Sequence, residues 1–149
     1  IRSLLNGKSI YLRNPKFNRP WQHVLEPLRG YLILAKRQFN DPKKYSDAWN
    51  FGTKNNSIKS VKEIIDYMIT FWGSGKIRYN KKVKFYEQKN LQLDIKKAKK
   101  YLSWYPTYSV KKGVKVTTEW YKDVYKLKKD PFKVTNNQII GYMNENSWR

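Results

Sequence analysis

Ser60-Val-Lys-Glu63 is the stretch that most restricts what this chain can become. The spacing forms a capping box, in which the serine hydroxyl accepts from the Glu63 N–H and the glutamate reaches back to the Ser60 N–H. Val61, Ile64, Ile65, Met68, Ile69 and Trp72 then recur on one side, and Gly73 supplies the stop. A helix delimited at both ends and apolar on one face must pack against another layer. A second pattern precedes it: Leu25, Leu28, Leu32, Ala35 and Phe39 repeat at helical spacing, with Pro27 in the first turn and Asn40-Asp41-Pro42 at the end. This stripe is expected to be the face that α-helix turns to the core.

The remaining punctuation predicts short elements. Ile10-Tyr-Leu12 follows the Asn6-Gly7 turn and reads as a strand. Asp47-Ala-Trp-Asn-Phe-Gly52 reads as a short buried strand. Residues 76–85 read as loop with one short strand, and Leu91 and Leu93 alternate as in another. Asp94 caps a helix running to about Leu102, which Trp104-Tyr-Pro106 breaks. Ser109 caps the next, carrying Val110, Val114, Thr117, Tyr121 and Val124 on one side. Thr135-Asn-Asn-Gln138 reads as a last capping box, opening a short helix to about Met143. With no repeat, linker or second domain, residues 1–149 are expected to form one α/β unit, mostly helices with short strands.

Composition removes several functions. There is no cysteine and a single histidine, which excludes disulfides and the usual zinc ligand sets and makes a reducing cytoplasm the simplest setting. No signal peptide opens the chain, no apolar run is long enough to span a membrane, and Ile1 in place of methionine implies processing or a piece of something longer. The seven glycines form neither GxGxxG nor GxxxxGK[ST], so no complete dinucleotide-binding unit is present. Tyr125-Lys-Leu-Lys-Lys129 is a Tyr-x-x-x-Lys spacing in a basic helix that chance explains. His23 has no cysteine or serine to activate. The net charge of +21 attracts anions and leaves open a basic nucleic-acid-binding module, but lysines spread from Lys8 to Lys133 favour a solvated surface over a specific nucleic-acid groove.

Residues 13–26 carry the strongest chemistry. Arg13 and Arg19 flank a turn containing Asn14-Pro15 and Asn18, and Pro20-Trp21 stands to hold the second guanidinium against an apolar surface. A guanidinium presents a planar donor fork that fits phosphate or carboxylate. The competing reading is a structural arginine paired with Glu26; a position just ahead of a helix favours anion binding.

RNPKFNRPWQHVLEPLRGYLILA resembles a stretch of the CDP-glucose 4,6-dehydratases, which are extended short-chain dehydrogenase/reductases. The resemblance continues through Ala48-Trp-Asn-Phe-Gly52, Ser60-Val-Lys-Glu63, Tyr86-Glu87, Leu91-Gln-Leu-Asp94 with Lys97-Ala-Lys99, Leu102-Ser-Trp-Tyr-Pro106 and Thr118-Glu-Trp-Tyr121. Thr53, Tyr86 and Ser103 depart from the family's proline, histidine and glycine.

The resemblance implies the C-terminal, substrate-binding portion of such an enzyme, with the N-terminal NAD-binding Rossmann domain and its catalytic residues lying outside this chain. For the parent it implies loss of water from CDP-glucose to give CDP-4-keto-6-deoxyglucose, with NAD as cofactor, for deoxysugars of surface polysaccharides such as O-antigen. It also implies a homodimer formed by helices of the absent part. This chain would supply the nucleotide–diphosphate lid and one or two strands to the Rossmann sheet, and alone would be inactive. Arg19 is then the expected diphosphate contact, Arg13 lies toward the base, and Asn50 and Glu87 reach ribose or cytosine.

Overall fold

A computed structural model describes residues 1–53, 57–79 and 92–145. In chain order it comprises α1 (Arg2–Leu5), β1 (Ile10–Leu12), β2 (Asn18–Pro20), α2 (Leu25–Asn40), α3 (Pro42–Tyr45), β3 (Ile58–Ser60), α4 (Val61–Trp72), β4 (Ile77–Tyr79), α5 (Lys96–Leu102), α6 (Val110–Tyr121), a π-helical turn at Lys122–Lys126, and α7 (Pro131–Glu145). The architecture is predominantly helical, with two small two-stranded sheets among the described residues. β1 and β4 run parallel, pairing Ile10 with Ile77 and Leu12 with Tyr79. β2 and β3 run antiparallel, pairing Asn18 with Ser60, Arg19 with Lys59 and Pro20 with Ile58.

The helix starts follow side-chain chemistry. At α4 the Ser60 hydroxyl accepts from Glu63 N at 3.2 Å, and a Glu63 oxygen accepts from Ser60 N at 2.8 Å. Gly73 closes the helix with φ of 97°, a left-handed conformation that costs glycine little. Asp94 accepts from Lys96 N at α5, and Ser109 accepts from Lys112 N at α6. The Ser60 N–H, the Lys59 ammonium and the Ser60 hydroxyl together hold the Glu63 carboxyl at about 2, below its ordinary 4.5.

That depression means the unfolded chain takes up the proton first on acidification. Glu63's contribution is therefore present above 4.5 and is lost as pH falls through the window down to about 2. The stability gap between the wild type and Glu63→Gln, followed by circular dichroism across that window, is expected to close. A gap independent of pH would contradict the capping role. Ser60→Ala should cost about 1 kcal/mol at neutral pH.

Three elements differ from the sequence-based expectations. Residues 47–52 form no strand: no backbone–backbone hydrogen bond among the described residues involves 48–53, and extended backbone becomes a strand only beside a partner. Residues 92–95 form no strand either, while Leu91 lies outside the described residues. The last helix starts one turn earlier than Thr135. Asp130 accepts from Phe132 N at 2.9 Å and Pro131 takes the first helical position, where a missing N–H costs nothing. Thr135 instead accepts from the Trp120 indole N–H.

Helix α2 occupies its expected span but faces the other way. Leu28, Leu32, Ala35 and Phe39 are exposed, whereas Glu26 and Gly30 are buried and Ile33 and Leu34 pack on the core. That core is built from Tyr45, Phe51, Ile95, Ala98, Leu102 and Trp104. Gly30 permits the approach: a Cβ there would lie 2.3 Å from the Phe51 ring. A second packing layer forms where α4 lies against α6.

Candidate functional site

The arginine-bearing turn is held from both sides. Phe17 N donates to Asn14 O, while Val61 N and Lys62 N donate to Phe17 O and Pro15 O. The turn is thereby fastened to the first residues of α4. Arg13 stands exposed at the end of β1, and Arg19 is half-buried in β2.

Arg19 Nη1 donates to Asn18 O at 2.9 Å, and its guanidinium lies over the Phe17 ring, 5.7 Å from the centroid. The ring beneath the arginine is therefore Phe17. The Trp21 indole is committed elsewhere, donating to Lys59 O at 3.0 Å and tying β2 to β3.

The pairing with Glu26 does not form, because that carboxylate is occupied internally. It accepts from Thr107 N, from Tyr108 N and from the Tyr142 hydroxyl. Burial, followed by this carboxylate, pushes the Tyr142 phenol above its ordinary value.

Arg19 sits directly across the ribbon from Lys59, on the same face. Two cations opposite one another destabilise a sheet pair, and the Glu63 carboxylate, 2.9 Å from Lys59, offsets part of that cost. Lys59 also lines a cavity of about 360 Å³ with Ser57, Tyr67, Tyr108, Ser109 and Lys111. The Lys111 ammonium is 5.9 Å from the centroid of the Tyr67 ring. The sequence patterns did not single out Lys59 or Lys111. Only strand pairing and the α4–α6 packing bring them near Arg19's ribbon, and a lysine in a lysine-rich chain carries no local signal.

Asn50 is exposed in the segment 47–53, which has no regular secondary structure. That segment is joined to the arginine stretch by Gln22, whose amide donates to Phe51 O at 2.9 Å. Glu87 lies outside the described residues. His23 is buried beside Gly113 and tilted against Tyr108, 5.6 Å between centroids. Burial pushes its imidazole below the ordinary 6.5, so it is neutral near pH 7. Its Nδ1 accepts from Leu25 N at the start of α2. A larger cavity of about 510 Å³ beside His23 and Trp120 is lined by no charged group, so an anionic ligand is better matched by the Lys59 side.

The chain is 37% identical over 123 residues to a CDP-glucose 4,6-dehydratase of Salmonella typhimurium, a match that covers 82% of this chain. Over most of its length the chain is thus similar to the CDP-glucose 4,6-dehydratases. The match covers 34% of the relative, so the chain spans about a third of that enzyme's length. No family model matches.

Solved structures agree on the fold. A dTDP-glucose 4,6-dehydratase of Bacillus anthracis in complex with NAD superposes with a TM-score of 0.65 at 23% identity, covering 82% of this chain and 37% of that one. A UDP-glucuronic acid 4-epimerase of Bacillus cereus, in complex with NAD and a fluorinated UDP-glucuronic acid, gives 0.66 at 23% identity, with 83% and 38% covered. The Thermotoga maritima UDP-glucose 4-epimerase with UDP-glucose gives 0.61 at 21% identity, with 82% and 37% covered. The fold is thus that of part of an extended short-chain dehydratase or epimerase.

The described residues do not fit NAD. They contain no strand–glycine turn–helix unit, and the two glycines with left-handed backbone, Gly7 and Gly73, both lie at helix ends. No helix among them is long and apolar enough to cross a membrane. No cluster of three metal-ligating side chains occurs among them either.

Proposed function

We infer that this chain is the C-terminal, substrate-binding part of an NAD-dependent sugar-nucleotide dehydratase acting on CDP-glucose, in which it grips the diphosphate. Loss of water would give the 4-keto-6-deoxy product, with NAD held by the part of the enzyme that this chain does not span. The observation that carries the binding role is the cross-strand placement of Arg19 and Lys59 on a ribbon braced by Phe17 and Trp21. A diphosphate carries negative charge that complements these two cations. The guanidinium fork can donate to two of its oxygens at once, and Lys59 supplies a point charge. Arg13, at the other end of the same turn, and Asn50 and Glu87 remain the proposed contacts to base and ribose.

Calorimetric titration of the chain with CDP tests this reading. Arg19→Ala is expected to weaken binding about tenfold or more, the scale of one charge-assisted hydrogen bond. Lys59→Ala should weaken it several-fold and reduce its salt dependence. Unchanged affinity in Arg19→Ala would overturn the assignment. Incubated with CDP-glucose and NAD, the chain alone should yield no 4-keto product, since its described residues hold no cofactor cradle.

A further inference from the structure

We propose that the cavity of about 510 Å³ between the turn 22–25, α6 and α7 is a binding site for a neutral sugar, a pyranose ring free of phosphate and carboxylate. The site shares no lining residue with the cavity beside Lys59 and is independent of the diphosphate reading.

Three observations carry it. The first is charge. In a chain whose residues are 29% charged, none of the ten lining this cavity carries a charge at pH 7, His23 being neutral there. A charged ligand would be desolvated with no counter-charge to meet it, a cost that a neutral one escapes. The volume falls in the roughly 300–1,000 Å³ range of small-molecule sites.

The second is what the walls leave unsatisfied. Gln22 and Gln138 donate their amide N–H groups to Phe51 O and Val116 O, both at 2.9 Å, so each amide oxygen remains an acceptor. His23 Nδ1 accepts from Leu25 N, which puts the ring proton on Nε2 as a donor. Thr135 accepts from the Trp120 indole and keeps its own hydrogen to donate. The Thr117 and Tyr121 hydroxyls make no hydrogen bond among the described residues. Donors and acceptors thus surround one volume from three elements. A sugar hydroxyl is donor and acceptor at once, and a pyranose carries such groups all around its rim. A flat heteroaromatic ring has polar atoms only in its own plane.

The third is rigidity. The hydrogen bonds that hold Gln22, Gln138 and His23 are already made, and Tyr121 and Tyr125 meet Trp120 edge-on at 5.1 and 6.1 Å. Little side-chain freedom is left to lose on binding. The indole also offers an electron-rich face to the C–H bonds on a sugar's apolar side.

The test is titration of the full chain with methyl glycosides of glucose, galactose, mannose and a 6-deoxyhexose, read by NMR from the Trp120 indole N–H. That N–H donates to Thr135, a wall residue, and its signal is assigned by its loss in Trp120→Phe. At least one glycoside is expected to shift it saturably, with a Kd of about 1–10 mM, the level of a few hydrogen bonds in a half-open site. Gln138→Leu should weaken that affinity about tenfold, the scale of one hydrogen bond. Ile139→Trp, at the exposed rim, fills the cavity and should abolish the shift while circular dichroism and CDP affinity stay unchanged. Arg19→Ala should bind the glycoside as the wild type does. Absence of a saturable shift with all four glycosides would overturn the proposal, as would a shift that survives Ile139→Trp. Tighter binding of benzyl alcohol or adenosine than of any glycoside would overturn it too, making this an aromatic-ring site. CDP titration reads the diphosphate assignment separately, so either can fail alone.

Discussion

Glu26→Ala is expected to destabilise the fold by about 3–5 kcal/mol, the range for breaking a buried, fully engaged charge. The residue is 1% exposed. Its carboxylate receives the Thr107 and Tyr108 amides and the Tyr142 hydroxyl, so one side chain joins the start of α2, the turn before α6 and the far end of α7. Truncation leaves three donors without an acceptor in a site too closed for water to replace them freely. Glu26→Gln keeps one acceptor oxygen and should cost about half as much. Tyr142→Phe, which removes a single donor, should cost about 1 kcal/mol. Urea unfolding followed by circular dichroism gives all three values. A loss below about 1 kcal/mol for Glu26→Ala would show that the carboxylate is not the joint between these elements.

Trp104→Ala should have an effect of similar size, about 3–5 kcal/mol, through a different cause. The indole is wholly buried at 0% exposure and meets Phe51 edge-on at 5.1 Å between centroids. Its removal leaves a cavity in the middle of the cluster formed by Tyr45, Phe51, Ile95 and Leu102. The indole N–H also donates to Glu26 O at 3.1 Å. Trp104→Phe retains most of the packing and loses that donor, so a cost of about 1–2 kcal/mol is expected. If Phe and Ala were equally damaging, the hydrogen bond rather than the volume would dominate.

Side chains that act on their own backbone were legible directly. Ser60 and Glu63 bracket the start of α4 because their partners lie three residues apart, and Gly73 ends it because its missing Cβ tolerates a left-handed turn. Asp130-Pro131 obeys the same chemistry, but Thr135-Asn-Asn-Gln138 also has the spacing of a box. The choice between the two starts depended on Trp120, which takes the Thr135 hydroxyl from α6. The arginine stretch was likewise visible through residue type, as was its relation to the dehydratases.

The partners were not visible. Periodicity placed α2 to within its ends but could not say which way its stripe points. An apolar face turns inward only if its cover is present, and here Glu26 and Gly30 turn inward because Tyr142, the turn at 107–108 and Phe51 meet them there. The same reason leaves residues 47–52 without a strand, since a ladder needs a second chain segment. It also explains why Lys59 emerged only from strand register. Local hydrogen bonds close within a few residues and are written in the order of amino acids. Burial, cross-strand charge and the identity of a neighbour depend on contacts between residues far apart in sequence, up to 116 positions, which only the folded chain selects.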